Sequence, residues 1–121
     1  MRARGRYFYN LGDETQGLHR VLATGLESRI FPGDRIMLSV VSVAPNAQSQ
    51  AHCHPEEQWG VLLEGDGVRT QDGEEVAVKA GDFWRTPGGV THAFRAGPRG
   101  ARLLDIFSPP RVEFLKAGSS P

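Results

Sequence analysis

The sequence predicts an all-β fold, an antiparallel sandwich or closed barrel in a single domain, on three observations. No stretch keeps a helical spacing of apolar residues. At least eight short runs rich in β-branched and aromatic residues follow one another at even spacing, each bounded by turn residues. Fifteen glycines and eight prolines are spread along 121 residues, as many tight turns require. That length supports one core and not two.

Taken in order, RYFYN (6–10) and LHRVLATG (18–25) are expected strands, and FPGD (31–34) is a turn with proline second and glycine third. RIMLSVVSV (35–43) is the longest strand candidate, and APNAQSQ (44–50) is a loop. QAHCH, QWGVLLEG, GVRTQ, EEVAVKAG, DFWRTP, THAFRAG and ARLLDIF follow as strands. EGDG (64–67) and QDGE (71–74) are expected hairpin turns, with further turns at KAGD (79–82) and TPGGV (86–90). RVEFLK is a short helical turn after the Pro109–Pro110 step, and the small, polar tail of residues 116–121 is expected to fray.

Composition excludes several partners. Fourteen basic and fourteen acidic residues cancel, and no basic run or aromatic-basic stripe is present, so nucleic acid is not an expected partner. No apolar stretch approaches a membrane span, and the Arg-rich start carries no apolar signal-peptide core. A single cysteine cannot form an internal disulfide, which is compatible with a reducing compartment, and a cytoplasmic location is expected.

The densest chemistry lies in HCHPEEQWGVLLEGDG (52–67). His52 and His54 are two residues apart, so on a strand both imidazoles share one face and Cys53 turns away. Such a pair alone is as readily packing as a metal site. His92, after the turn PGGV, adds a third imidazole that a second hairpin can bring to the same point. Three imidazoles suit a divalent transition metal (Zn, Ni, Mn, Fe or Cu) rather than Ca or Mg.

These residues carry a resemblance. NAQSQAHCHPEEQWGVLLEG (46–65) and GDFWRTPGGVTHAFRA (81–96) resemble the two motifs of the cupins, with His52, His54, Gly65, Gly81, Pro87, Gly89 and His92 in register. The resemblance extends from about Leu18 to Leu115 and implies an antiparallel double-stranded β-helix, the cupin or jelly-roll barrel, around one divalent metal (Ni, Zn, Mn or Fe). Asn46 stands where the pattern has glycine, Ala96 where it has asparagine, and Gln58 where it has the glutamate that serves as fourth ligand. Glu56 and Glu57 fall out of register and read as solvated charges or, second, as outer groups of the site. With a neutral amide at Gln58 the metal keeps its full double charge. That favours polarising an anionic or carbonyl substrate over oxygen activation.

LLDIFSPPR (103–111) is the second signal. Asp105 shares a strand face with Leu103 and Phe107, and an acid among apolar neighbours must be paired, protonated or functional. Arg111 follows a stiff Pro-Pro step. Together with HPxEQ at 54–58, the segment resembles the small cupins that linearise unsaturated uronates in pectin and alginate breakdown. The resemblance implies Asp105, Arg111 and Phe107 as catalytic residues, with His52, His54, Gln58 and His92 as metal ligands. It further implies a small acidic substrate: Arg111 holds its carboxylate, Asp105 moves a proton and Phe107 walls the pocket. A metal dioxygenase acting on a small enol remains an alternative, as does a non-catalytic module that binds a small acid or sugar. His19 reads as structural or exposed, and Arg20 enters the pocket only if its strand lies at the mouth. If Gln58 points inward, Trp59, Val61 and Leu63 point outward as an apolar face, and a homodimer is expected to cover it.

Overall fold

The computed structural model describes residues 7–115. Seven antiparallel strands form the fold: β1 (Leu18–Ala23), β2 (Leu26–Pro32), β3 (Met37–Val43), β4 (Glu57–Gln71), β5 (Glu74–Lys79), β6 (Phe83–Thr86) and β7 (His92–Ser108). A 3₁₀ turn, Val112–Leu115, follows. The strand order is β1-β2-β3-β7-β4-β5, with β6 on β4. None of the helical segments among the described residues is long and apolar enough to cross a membrane.

The architecture rests on two long strands that each serve both halves of the barrel. β4 pairs with β6 through residues 58–61 and with β5 through 66–71, while β7 lies beside it along almost its whole length. The segment EGDG, expected to be a hairpin turn, is instead where β4 bends. Its pairing with β7 slips between Leu62 and Glu64 and again between Gly65 and Gly67. Such bulges kink a strand without ending it. Gly65 adopts φ +83°, and a Cβ there would lie 2.1 Å from the Gly100 carbonyl, so only glycine fits the bend. THAFRAG and ARLLDIF are likewise one strand, β7, bent opposite that point. The inward face changes parity across the bend, from His92, Phe94 and Ala96 to Leu103, Asp105 and Phe107.

Other expectations shift locally. Residues 7–10 are not a strand, and Arg6 lies outside the described residues. β2 was not expected, because the proline of FPGD suggested a turn; Pro32 in fact still pairs with Met37, and the reversal comes at Gly33–Ile36. QAHCH forms no full strand and joins β7 through the bridge of His52 with His92. QDGE does form a hairpin, with Asp72 and Gly73 both at positive φ. RVEFLK yields the 3₁₀ turn over Val112–Leu115, and its Lys116 and the expected frayed tail lie outside the described residues.

The core fills the interior in two adjoining clusters. One is centred on Leu62, Val41, Phe94 and Leu103; the other is Ile30, Met37, Phe107 and Phe114. Leu22 packs against both. The site lies between these clusters.

Candidate metal centre

The three histidines are aimed by the backbone. The Nδ1 of His52 lies 2.8 Å from the Gln50 carbonyl, that of His54 3.1 Å from the Glu56 carbonyl, and that of His92 2.9 Å from the Val90 carbonyl. A carbonyl only accepts, so each Nδ1 carries the proton and each Nε2 presents a lone pair. The ring centroids lie 4.5–5.9 Å apart, and one ligand nitrogen from each ring falls within 4.8 Å of the others. The Nε2 of His92 is buried and has no hydrogen-bond partner.

The amide of Gln58 completes the convergence. Gln58 is buried on β4, opposite Phe107 of β7 and Thr86 of β6. Its amide also acts on the Asp105 carboxylate and favours the charged form, which needs Nε2 on that side, and its Oε1 then sits 3.0 Å from the Nε2 of His54. Two lone pairs face each other at that distance, an arrangement that a cation between them relieves. Burial lowers the proton affinity of all three imidazoles, with the cationic Arg111 reinforcing this at His54 and Arg69 at His92. His92 falls to about 3. Neutral imidazoles are the ligating form. The donor set therefore fits a divalent metal: His52, His54 and His92 can hold one, with the Gln58 oxygen beside them.

A cavity of about 60 Å³ adjoins the triad, lined among others by His52, Gln58, Arg69, His92, Asp105, Phe107 and Arg111. Asp105 faces Ser39 on β3 and Gly60 on β4. Burial pushes its carboxyl up to about 6 against the opposing pull of Arg69, the Gln58 hydrogen bond and Arg111. Arg111 is buried, not a surface residue. Its guanidinium bonds the Glu113 carboxylate at 3.0 Å and lies 4.2 Å from the centre of the Phe114 ring. The ring of Phe107 meets that of His54 edge-on at 5.6 Å.

Glu56 departs from the solvated role expected of it. It is 9% exposed, and its Oε1 lies 3.5 Å from the Nδ1 of His54 and 3.9 Å from the Nε of Arg111. Such a carboxylate orients a ligand imidazole and raises its basicity. Glu57 is exposed and pairs with Arg85. Arg20 is buried over Phe114 outside the cavity lining, and Cys53 is exposed. Sequence reasoning missed Arg69, which is buried on β4 and lines the cavity. An arginine in the apolar-polar alternation of GVRTQ was the available signal, but the bulges of β4 hid which face it occupies.

An antiparallel β-barrel with three inward imidazole lone pairs at one point defines a metal-binding barrel protein. The chain belongs to the cupins: the Cupin_2 family, described as a cupin domain, matches residues 39–107. It is 30% identical over 112 residues to the pectin degradation protein KdgF of Dickeya dadantii, an alignment that covers 91% of this chain and 98% of that protein. It is 31% identical over 97 residues to the dimethylsulfoniopropionate lyase DddW of Ruegeria pomeroyi. That alignment covers 80% of this chain but 62% of the lyase, so the chain spans less than two thirds of the lyase's length. An RmlC-like cupin from Shewanella frigidimarina matches the fold with a TM-score of 0.77 and 25% identity, over 88% of this chain and 96% of that one.

Proposed function

We propose that this cupin linearises 4,5-unsaturated uronates to 5-keto-4-deoxyuronates. One observation carries the reading: Asp105 lines the same small cavity as Gln58, His52 and His92. A base is thereby fixed beside a metal-binding triad. Likeness to KdgF over nearly the whole of both chains supports it.

A divalent metal held by His52, His54 and His92, with Gln58 beside it, would supply Lewis acidity toward the substrate carboxylate and ring oxygen. Arg111 holds carboxylate oxygens through its planar fork of donors, backed by Glu113 and Phe114. Asp105 takes the proton of the anomeric hydroxyl as the bond from C1 to the ring oxygen breaks. An aldehyde forms at C1 and an enolate at C5. The same carboxyl returns the proton to C4, which leaves a ketone at C5. No other reagent is consumed, and Phe107 and Phe114 limit water around the reacting atoms.

Asp105→Asn is the direct test. It should abolish loss of the unsaturated-uronate absorbance while metal content stays at the wild-type level, and full activity in this variant would remove Asp105 from the mechanism. Oxygen uptake coupled to turnover would favour the dioxygenase instead. Binding of the acid without turnover would favour the non-catalytic module. Consumption of dimethylsulfoniopropionate with no action on uronates would move the assignment toward the lyase that the chain also resembles.

A further inference from the structure

Arg69 lies on β4, paired with Phe94 of β7, and is 6% exposed. Its guanidinium is fixed on three sides. Nε donates to Gln71 Oε1 at 3.3 Å, and Nη2 donates to Thr86 Oγ1 at 2.9 Å. The Trp84 ring lies 5.4 Å away, centre to guanidinium carbon. Gln71 is held in turn, accepting from the Thr86 hydroxyl at 2.7 Å and donating to the Arg85 carbonyl at 2.6 Å. The group is therefore rigid before any ligand arrives.

It is also a cation without an anion in contact. Both of its acceptors are neutral oxygens, and among the described residues no carboxylate forms an ion pair with it; Asp105 attracts it only from beyond that range. Removing a guanidinium from water costs several kcal/mol unless charge or full hydrogen bonding offsets it. Two bonds to neutral oxygens use two of five N–H donors. The side chain lines the metal cavity where β4 pairs with the His92 end of β7, whereas Arg111 shares contacts to Glu56 and Phe107 with His54.

We propose that Arg69 is the second oxyanion-binding side chain of this chamber, opposite Arg111. The site then selects acids that carry an oxygen function at each end: a carboxylate toward Arg111 and a hydroxyl, carbonyl or second carboxylate toward Arg69. This rests on the reading of the chamber as a site for a small acid, and it makes Arg69 a specificity-determining residue.

The test compares malonate with propionate, which has a methyl group where malonate has its second carboxylate, by calorimetric titration of the zinc-loaded protein, with zinc content measured before and after. A charge-assisted hydrogen bond contributes about 1.5–3 kcal/mol. Wild type should therefore prefer malonate by at least about tenfold. Arg69→Met should reduce that preference to about threefold or less, and Arg69→Lys should keep part of it. No preference in wild type, or an undiminished one in Arg69→Met, overturns the proposal. Should Arg69→Met fail to fold, Arg69→Lys and Thr86→Val decide: an unchanged preference in both overturns it. Uronate turnover reports the functional reading separately. Malonate discrimination that depends on Arg69, in a protein that does not consume uronates, sustains this inference and sinks that reading. Turnover with discrimination indifferent to Arg69 does the reverse.

Discussion

Gly60→Ala places one methyl group where the structure has no room for it. Gly60 lies inward on β4 between Gln58 and Leu62, opposite Asp105 of β7 and Trp84 of β6. A Cβ at this position would stand 2.6 Å from Trp84 Nε1 and 2.9 Å from Asp105 Oδ1. The indole is a rigid plate packed on Phe94, with ring centroids 6.4 Å apart, so the carboxylate yields first and leaves its place beside Gln58 in the cavity. Overpacking of this kind costs about 1–3 kcal/mol. Replacing a strand glycine returns about 0.5–1 kcal/mol of backbone entropy. The net loss is about 0–2.5 kcal/mol, or up to roughly 10 °C in Tm for a chain of this size. Uronate turnover should fall more than the stability does, by at least about a hundredfold, because proton transfer depends on the placement of Asp105. Metal content should not change, since the three atoms nearest the new methyl group belong to Trp84 and Asp105 and not to a histidine. Calorimetry, metal analysis and the absorbance assay on one preparation give all three values. Wild-type turnover at a Tm within about 1 °C of wild type would show that Asp105 does not occupy the position assigned to it.

Four further outcomes follow from the same geometry. Chelation should abolish turnover and lower Tm by roughly 10 °C, which saturating zinc, nickel or manganese restores, as about 2.7 kcal/mol of linkage at a hundred times Kd requires. Glu56→Gln removes the buried charge beside His54 and should weaken metal affinity about 10- to 100-fold, measured by competition with a chelating dye. Gln58→Glu sets a carboxylate against Asp105 and cancels one unit of metal charge; it should keep the metal and lose turnover by at least about a hundredfold. The outward face bearing Trp59, at 42% exposure, with Leu38 and Ile106 in the neighbouring registers, should be covered by a second copy, and light scattering at micromolar concentration should give a dimer mass.

What the sequence disclosed and what it hid have physical causes. The histidines were legible because each is positioned by its own neighbours: the carbonyls that hold the three Nδ1 atoms belong to residues two positions away in the chain. The inward placement of Asp105 was legible because a lone acid in an apolar alternation has few benign explanations. Arg69 and Glu56 were not, because their burial depends on long-range geometry. Counting by twos from Gln58 along β4 puts Arg69 on the outside, but the two register shifts near Gly65 bring it inside. Glu56 follows Pro55 in a turn, where no periodicity applies, and it is buried by the return of Arg111 from the far end of the chain. The glycines of EGDG suggested reversal; the pairing of β4 shows that the same residues serve a bend in a strand that continues.

The size of the chamber sets a condition on the proposed reaction. Ligand pockets commonly have about 300–1,000 Å³, and the cavity beside the triad has about 60 Å³, so a hexuronate can bind only if a wall moves. Most of that wall is strand, held by continuous hydrogen-bond ladders from β3, β4 and β7. The exception is the 3₁₀ segment after Pro110, whose Phe114 is fastened by the rings and cations around it: Phe107 at 5.8 Å, Arg111 at 4.2 Å and Arg20 at 5.1 Å. Phe114→Leu keeps an apolar side chain there and removes both cation–π contacts, about 1–2 kcal/mol in total. That should raise the open fraction roughly 5- to 30-fold. If access requires opening, the association rate constant of galacturonate, followed by stopped-flow tryptophan fluorescence, should rise by the same factor. A rate within about twofold of wild type would show that substrate reaches the metal by another path, and the strand wall between Arg69 and Trp84 would then be the part to examine.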